Sequence, residues 1–176
     1  MMNLAIASVY AQQNAVKMTF SGTGAASPID LKQPNTNTAE ENVAGNGTLG
    51  PFTFRDVRAI AISPQPFSTC SGLYFPSVAG AGLLRFQDGS LLKVNLTQGG
   101  DCIDLVHMVG HCTLILQITG GTGRFKNASG VLTYTETALP VLADALNNPV
   151  FFSETGEFTG TISGVAMEEE PQDVQR

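Results

Sequence analysis

Three polar side chains stand where the alternation of this chain calls for apolar ones. Tyr134 and Glu136 follow Leu132 at a spacing of two in LTYTET, and Asp56 follows Phe52 and Phe54 in FTFRD. Residues two apart on a strand share a face. A carboxyl beside aromatic walls resists ionisation, because burial disfavours its charge, and it can then give or take a proton near neutral pH. Tyr134 and Glu136 are the candidate catalytic pair, and Asp56 joins them as a candidate for ligand binding. Asp56 and Glu136 also read as solvated carboxylates at strand ends.

Other chemistry finds less footing. His107 and His111, with Cys102 and Asp104 nearby, suggest a metal site by residue type. Their spacing matches no zinc motif, and Gly110 with the flanking Val residues favours a strand and a turn over a helix face. No metal and no cofactor are expected. No Ser-His-Asp or Cys-His order comes with a nucleophile elbow.

The elements that must position these groups are strands. Cys112, Leu114, Leu116 and Ile118 alternate with Thr113, Ile115, Gln117 and Thr119, and Val131–Thr137 alternates again after Gly130. Val16, Met18 and Phe20 mark a first strand. Leu84 and Phe86, then Leu92, Val94 and Leu96, flank Asp88-Gly89, a hairpin dipeptide. Phe158 to Val165 closes the pattern. Sorted by parity, Phe20, Phe52, Phe54, Phe86, Leu114 and Leu116 share the apolar face with Asp56, Tyr134 and Glu136. If the sheet closes, that face is a lumen and these residues are its ligand-binding wall. The polar stretch from Ala25 to Gly45 reads as a loop or lid, and the region around Leu142 to Leu146 as a short helical turn.

Between the two clearest strands lies GGTG, Gly120 to Gly123. With Asp144 about twenty residues on, it imitates a dinucleotide-binding turn. That turn must open a helix whose amides hold the pyrophosphate. Here RFKNASG and a Thr-rich strand follow, so the glycines read as a strand corner.

ITGGTGRFKNASG, with GAGLLRFQDGSLLKV before it and GEFTGTISG after it, resembles the signature of the allene oxide cyclase and dirigent-like β-barrels, in the form of a bacterial-type secreted member. The resemblance spans Val16 to Val165 and is distinctive only around Gly120 to Gly130. It implies an all-β fold, a single antiparallel barrel of about eight strands with an apolar interior. Plant cyclases of this group hold a catalytic water with an acid in the first strand. NAVKMTFSG carries no acid, so that role has no counterpart here. Dirigent proteins use lumen acids and basic residues, for which Asp56 and Arg55 are possible counterparts.

The net charge of −6 and the lack of a Lys/Arg cluster exclude a nucleic-acid partner and disfavour an anionic membrane surface. No apolar run is long enough for membrane insertion. LAIASVYAQQ reads as the end of a secretory signal peptide or as a disordered leader, so residues 1–13 are set apart from a barrel domain over 14–166 and an acidic, disordered tail over 167–176. A secreted or periplasmic location would let Cys102 and Cys112 form a disulfide; three buried thiols are the alternative. Apolar outward positions, Ile115, Val131 and Val165, suggest a homotrimer or homodimer. The function expected is binding of a small apolar or amphiphilic ligand in the barrel without turnover; the alternative is a cyclase, isomerase or dirigent-type enzyme steering such a substrate.

Overall fold

The computed structural model describes residues 13–166. The leader and the acidic tail expected from the sequence lie outside these residues, apart from Gln13. Eight strands follow in chain order: β1 (Asn14–Ser27), β2 (Thr36–Gly47), β3 (Phe52–Ala61), β4 (Leu73–Phe86), β5 (Leu91–Asp104), β6 (Val109–Gly121), β7 (Ser129–Ala143) and β8 (Pro149–Ser163). Each pairs antiparallel with its neighbours, and β8 returns to β1, closing the barrel. Closure leaves no unpaired sheet edge. The all-β barrel expected from period-two alternation is the fold.

The strands are longer and the loops shorter than the sequence suggested. Pairing of Ala26 with Ala39 and of Ser27 with Thr38 carries the β1–β2 ladder into the stretch read as a lid, leaving 28–35 as the loop. β7 continues through Leu142 to Ala143, in place of a helical turn. Asp88-Gly89 sits inside a four-residue connection, 87–90, in which Gly89 takes positive φ. Val165 packs against the core instead of facing outward.

In an up-and-down barrel, connections alternate between the two ends. The β2–β3, β4–β5 and β6–β7 connections therefore share one end, and the four others share the opposite mouth. The first end is plugged. The GGTG corner bends into a single 3-10 turn, Gly123–Phe125, which drops Phe125 into the barrel with no exposure. Gly123 has a φ of 56°, and a Cβ there would lie 2.3 Å from Ser90 Oγ, so two constraints demand glycine. Arg124 lies over Phe86 and Phe125, at 5.0 and 4.6 Å from the ring centroids, and donates to the Leu49 carbonyl at 2.6 Å. The glycine-rich corner is a plug, not a phosphate cradle.

Above the plug the lumen is packed solid. Phe20 stacks on Tyr134 at 5.0 Å, Phe158 meets Phe54 edge-on at 5.0 Å, and Phe52 and Phe86 fill the next level. Leu84, Leu92, Leu114 and Leu132 complete a layer with no exposure. Aromatic pairs in such geometry add about 0.5–1.5 kcal/mol each beyond their burial.

The disulfide expectation needs correction. Cys102 pairs with Cys70, 32 residues away, at a Cα–Cα distance of 5.6 Å, and Cys112 is free and buried. The β5–β6 register explains it: Cys102 lies opposite His111, while Cys112 lies opposite Asp101. Neighbouring-strand residues one step out of register point to opposite faces, so the Cys102 and Cys112 side chains diverge. The bond ties the β3–β4 loop to β5 at the mouth and contributes about 3–4 kcal/mol on a chain-entropy model. Non-reducing peptide mapping should recover Cys70 joined to Cys102, with Cys112 unreactive to alkylation until the protein is unfolded. A Cys102–Cys112 peptide would contradict this register.

Candidate functional site

Where the aromatic packing ends, the lumen turns polar. Nearer the mouth along each strand, β2 supplies Glu41, β3 Asp56 and Arg58, β4 Ser77, β5 Asp101, β6 Cys112, β7 Glu136 and β8 Glu154. Glu41, Asp56, Arg58, Glu136 and Glu154 are each no more than 6% exposed. Five carboxyls therefore meet one guanidinium in a space nearly closed to water.

Arg58 is the hub. Its Nη2 donates to Glu41 Oε1 in a close ion pair. Nη1 donates to Ser77 Oγ at 3.3 Å, Cys112 Sγ at 3.3 Å and Asp101 Oδ1 at 3.4 Å. Nε lies 3.3 Å from Asp56 Oδ2, within ion-pair range but out of line for a hydrogen bond. Burial works against the Arg58 charge, but Cys112, Glu41, Asp101 and Asp56 more than offset it, and its pKa is raised well above the usual value. Asp56 Oδ1 accepts the Glu41 backbone N–H at 3.2 Å, which fixes the β2–β3 pair beneath the hub.

Asp56 shares Arg58 with Glu41 and Asp101, and among the described residues Glu136 and Glu154 form no ion pair. Burial, then the Glu41 charge, pushes the Asp56 pKa well above the carboxyl range. The same two causes raise Glu136 well above its usual value and push Glu154 up to about 8. Tyr134 donates its hydroxyl proton to Glu136 Oε2 in a close contact, and its own pKa is raised, chiefly by burial. Glu154 leans over Gly24: a Cβ there would lie 1.7 Å from Glu154 Oε1, so the glycine makes room for the carboxyl. Glu154 Oε2 and Glu41 Oε2 are buried and accept no hydrogen bond.

A cavity of about 510 Å³ opens directly above this floor. Glu41, Arg58, Asp101, Cys112, Glu136 and Glu154 form its polar base, and Ala39, Ile60, Phe75, Ile103, Ala138, Pro140 and Phe152 its apolar walls. Tyr134 and Asp56 stand one layer lower, in contact with the base. The residues expected as a binding wall are placed otherwise. Phe20, Phe52, Phe54, Phe86, Leu114 and Leu116 pack on one another in the closed half and do not line the cavity. Asp56 and Glu136 are buried, not solvated at a rim. Arg55 points outward, and Arg58 is the inward base.

Glu41, Glu136 and Glu154 bring one oxygen each within 4.8 Å of one another, a spacing that could hold a cation. The histidines take no part in it: His107 pairs with Asp104 at the surface at 2.7 Å, and His111 is exposed beside Thr137.

No family model matches the chain, and no curated protein does. Among solved structures it is similar to the pterocarpan synthase dirigent protein GePTS1, over 91% of this chain and 97% of that one, at 10% identity and a TM-score of 0.28. A likeness of that size adds nothing to the fold, which the closed eight-strand ladder defines by itself. The class of protein is thus an all-β barrel, plugged at one end and open at the other onto buried acids.

Two outcomes test this electrostatic picture. Arg58→Ala leaves its carboxyl partners buried without a cation and should cost about 3–5 kcal/mol in chemical denaturation. Arg58→Met combined with Glu41→Gln should recover most of that loss, since it removes both charges. The second outcome concerns pH. A carboxyl whose folded pKa lies above its unfolded value stabilises the fold below the unfolded pKa, and that contribution is lost as pH rises through the folded pKa. For Glu154 the window runs from the unfolded value near 4.3 up to about 8. The urea midpoint should therefore be lower at about pH 9 than at about pH 5, and Glu154→Gln should flatten the difference.

Proposed function

We propose that the mouth cavity binds a small, mainly apolar molecule carrying a hydrogen-bond-accepting oxygen. Its apolar body lies against Ile60, Phe75, Ile103 and Phe152, and its oxygen meets the carboxyls of Glu136 and Glu154. One observation carries this reading: carboxyls with raised pKa values face an apolar cavity large enough for a ligand. A protonated carboxyl is a hydrogen-bond donor, which an ionised one is not. Apolar pockets with a few converging polar groups are the usual form of small-molecule sites.

A second reading follows from the same floor. Glu154, with a pKa pushed to about 8, is poised near neutral pH as a general acid, and Tyr134–Glu136 is a second proton-bearing pair within the same cluster. An isomerisation or cyclisation that needs a proton delivered to a substrate oxygen would use this arrangement, with the walls setting the folded shape of the substrate. The Cys70–Cys102 bond supports a secreted or periplasmic site of action, and Ile115 with the exposed Val131 on the outer wall supports a dimer or trimer.

A thermal-shift panel of fatty acids, terpenoids and phenolics should return stabilising ligands, more strongly at about pH 6 than at about pH 9, where Glu154 loses its proton. Glu136→Gln keeps a donor and should retain binding. Glu136→Leu should weaken it by about tenfold or more. Conversion of a bound compound that Glu154→Gln abolishes, with binding kept, selects the enzymatic reading. No stabilisation by any compound at either pH removes both.

A further inference from the structure

The mouth that opens the cavity is also the most apolar part of the surface. Among the described residues, the exposed large apolar side chains fall at this end, apart from Val57, Val78, Leu83 and Val131 on the outer wall. The loops at the plugged end carry none of them. The two most exposed, Val106 at 85% and Leu146 at 82%, stand at the tips of the β5–β6 and β7–β8 connections.

The chain builds these tips deliberately. Asp104 Oδ1 accepts the backbone N–H of Val106 at 2.8 Å and of His107 at 3.1 Å. Asp144 Oδ1 accepts those of Leu146 and Asn148, each at 2.8 Å. Asp30 does the same for Gln33 at 2.6 Å in the β1–β2 loop. Each acid is turned back onto its own loop, which leaves the neighbouring apolar residue facing outward.

We infer that this crown docks on a neutral, zwitterionic lipid surface, with the loop tips entering the headgroup layer and the cavity facing the lipid. Three features select this occupant. Charge is the first: Asp30, Lys32, Asp104, His107 and Asp144 are mixed in sign, and the loops lack the basic cluster that an anionic surface requires. The second is composition. Protein interfaces are anchored by aromatic residues and Arg. These loops contain no Arg, and their one aromatic residue, Phe67, is already stacked on Tyr74 at 4.2 Å. Continuity is the third: Ile62, Leu73, Leu105 and Met108 belong both to the crown and to the cavity wall. A ligand dissolved in lipid could enter without crossing water. Entry from lipid rests on the proposed ligand; the exposed crown, its charge and its composition do not.

Vesicle flotation of the full chain, with no ligand added, tests the inference. The chain should co-float with phosphatidylcholine vesicles, and phosphatidylserine should not strengthen the association. Val106→Ser combined with Leu146→Ser should lower the partition by about tenfold, with circular dichroism and melting unchanged. Single Val106→Ser serves as a second variant and should give an intermediate loss. Failure to float on phosphatidylcholine, or flotation indifferent to the double substitution, overturns the inference. Self-association in sedimentation velocity that the double substitution abolishes and vesicles do not compete with also overturns it, because a second copy then covers the crown. Retained flotation by a chain that binds no compound in the thermal-shift panel would uphold the surface and discard only the ligand.

Discussion

Everything at the open end depends on one guanidinium buried among carboxyls. Arg58 is 4% exposed and holds Glu41, Asp56 and Asp101 from three different strands. A charge that deep costs several kcal/mol to desolvate, and its partners recover this only with good geometry. Packed hydrophobic side chains of similar volume would stabilise the barrel at least as well. A barrel that needed only a fold could have closed this end as it closed the other, with phenylalanines. Keeping the cluster instead leaves carboxyls that cannot ionise cheaply, and those carboxyls form the base of the cavity.

The closed half makes that possible. Phe125 seals the bottom, and the Phe20, Phe54, Tyr134 and Phe158 stack occupies the middle, so water reaches the acids only through the mouth. The packing also positions the chemistry. Tyr134 is held by rings on several sides, with centroids at 5.0, 5.1 and 6.0 Å, which aims its hydroxyl upward at Glu136. The phenol, fixed from below, and the carboxyl that lines the cavity form one hydrogen-bonded pair at the boundary between core and cavity. At the mouth, the Cys70–Cys102 bond performs the corresponding task for the backbone by tethering the longest of the four loops.

Parity made much of this legible. Alternation put Asp56, Tyr134 and Glu136 on the face that proved to be the inside, because closure leaves a strand residue two choices and packing decides between them. The same rule reaches Arg58, two residues beyond Asp56, and Glu154, which shares parity with Phe152, Phe158 and Ile162. Glu41 was hidden because the Thr- and Asn-rich stretch around it imitates a loop; tertiary pairing with β1 and β3 overrides that composition. Sequence could not say that the aromatics would fill the closed half while the cavity formed above them, since alternation fixes which face a residue takes and not how full the space becomes. The cysteine pairing failed for a related reason. Proximity in sequence suggested Cys102 with Cys112, but the β5–β6 ladder sets Cys102 opposite His111 and Cys112 opposite Asp101, and closeness in sequence carries no information about that register.

The acid cluster admits two ways of settling its excess negative charge: a bound cation or bound protons. The converging oxygens of Glu41, Glu136 and Glu154 suit the first by distance. The second is favoured by what surrounds them. Glu41 already gives one oxygen to Arg58, Glu136 gives one to Tyr134, and a divalent ion would stand close to a guanidinium that repels it. Protons need no such room, and burial favours them on Asp56, Glu136 and Glu154 alike. The raised pKa values of Glu136 and Glu154 are the thermodynamic form of that choice. Acids held neutral under an apolar wall present hydrogen-bond donors to the cavity, which ionised carboxylates do not.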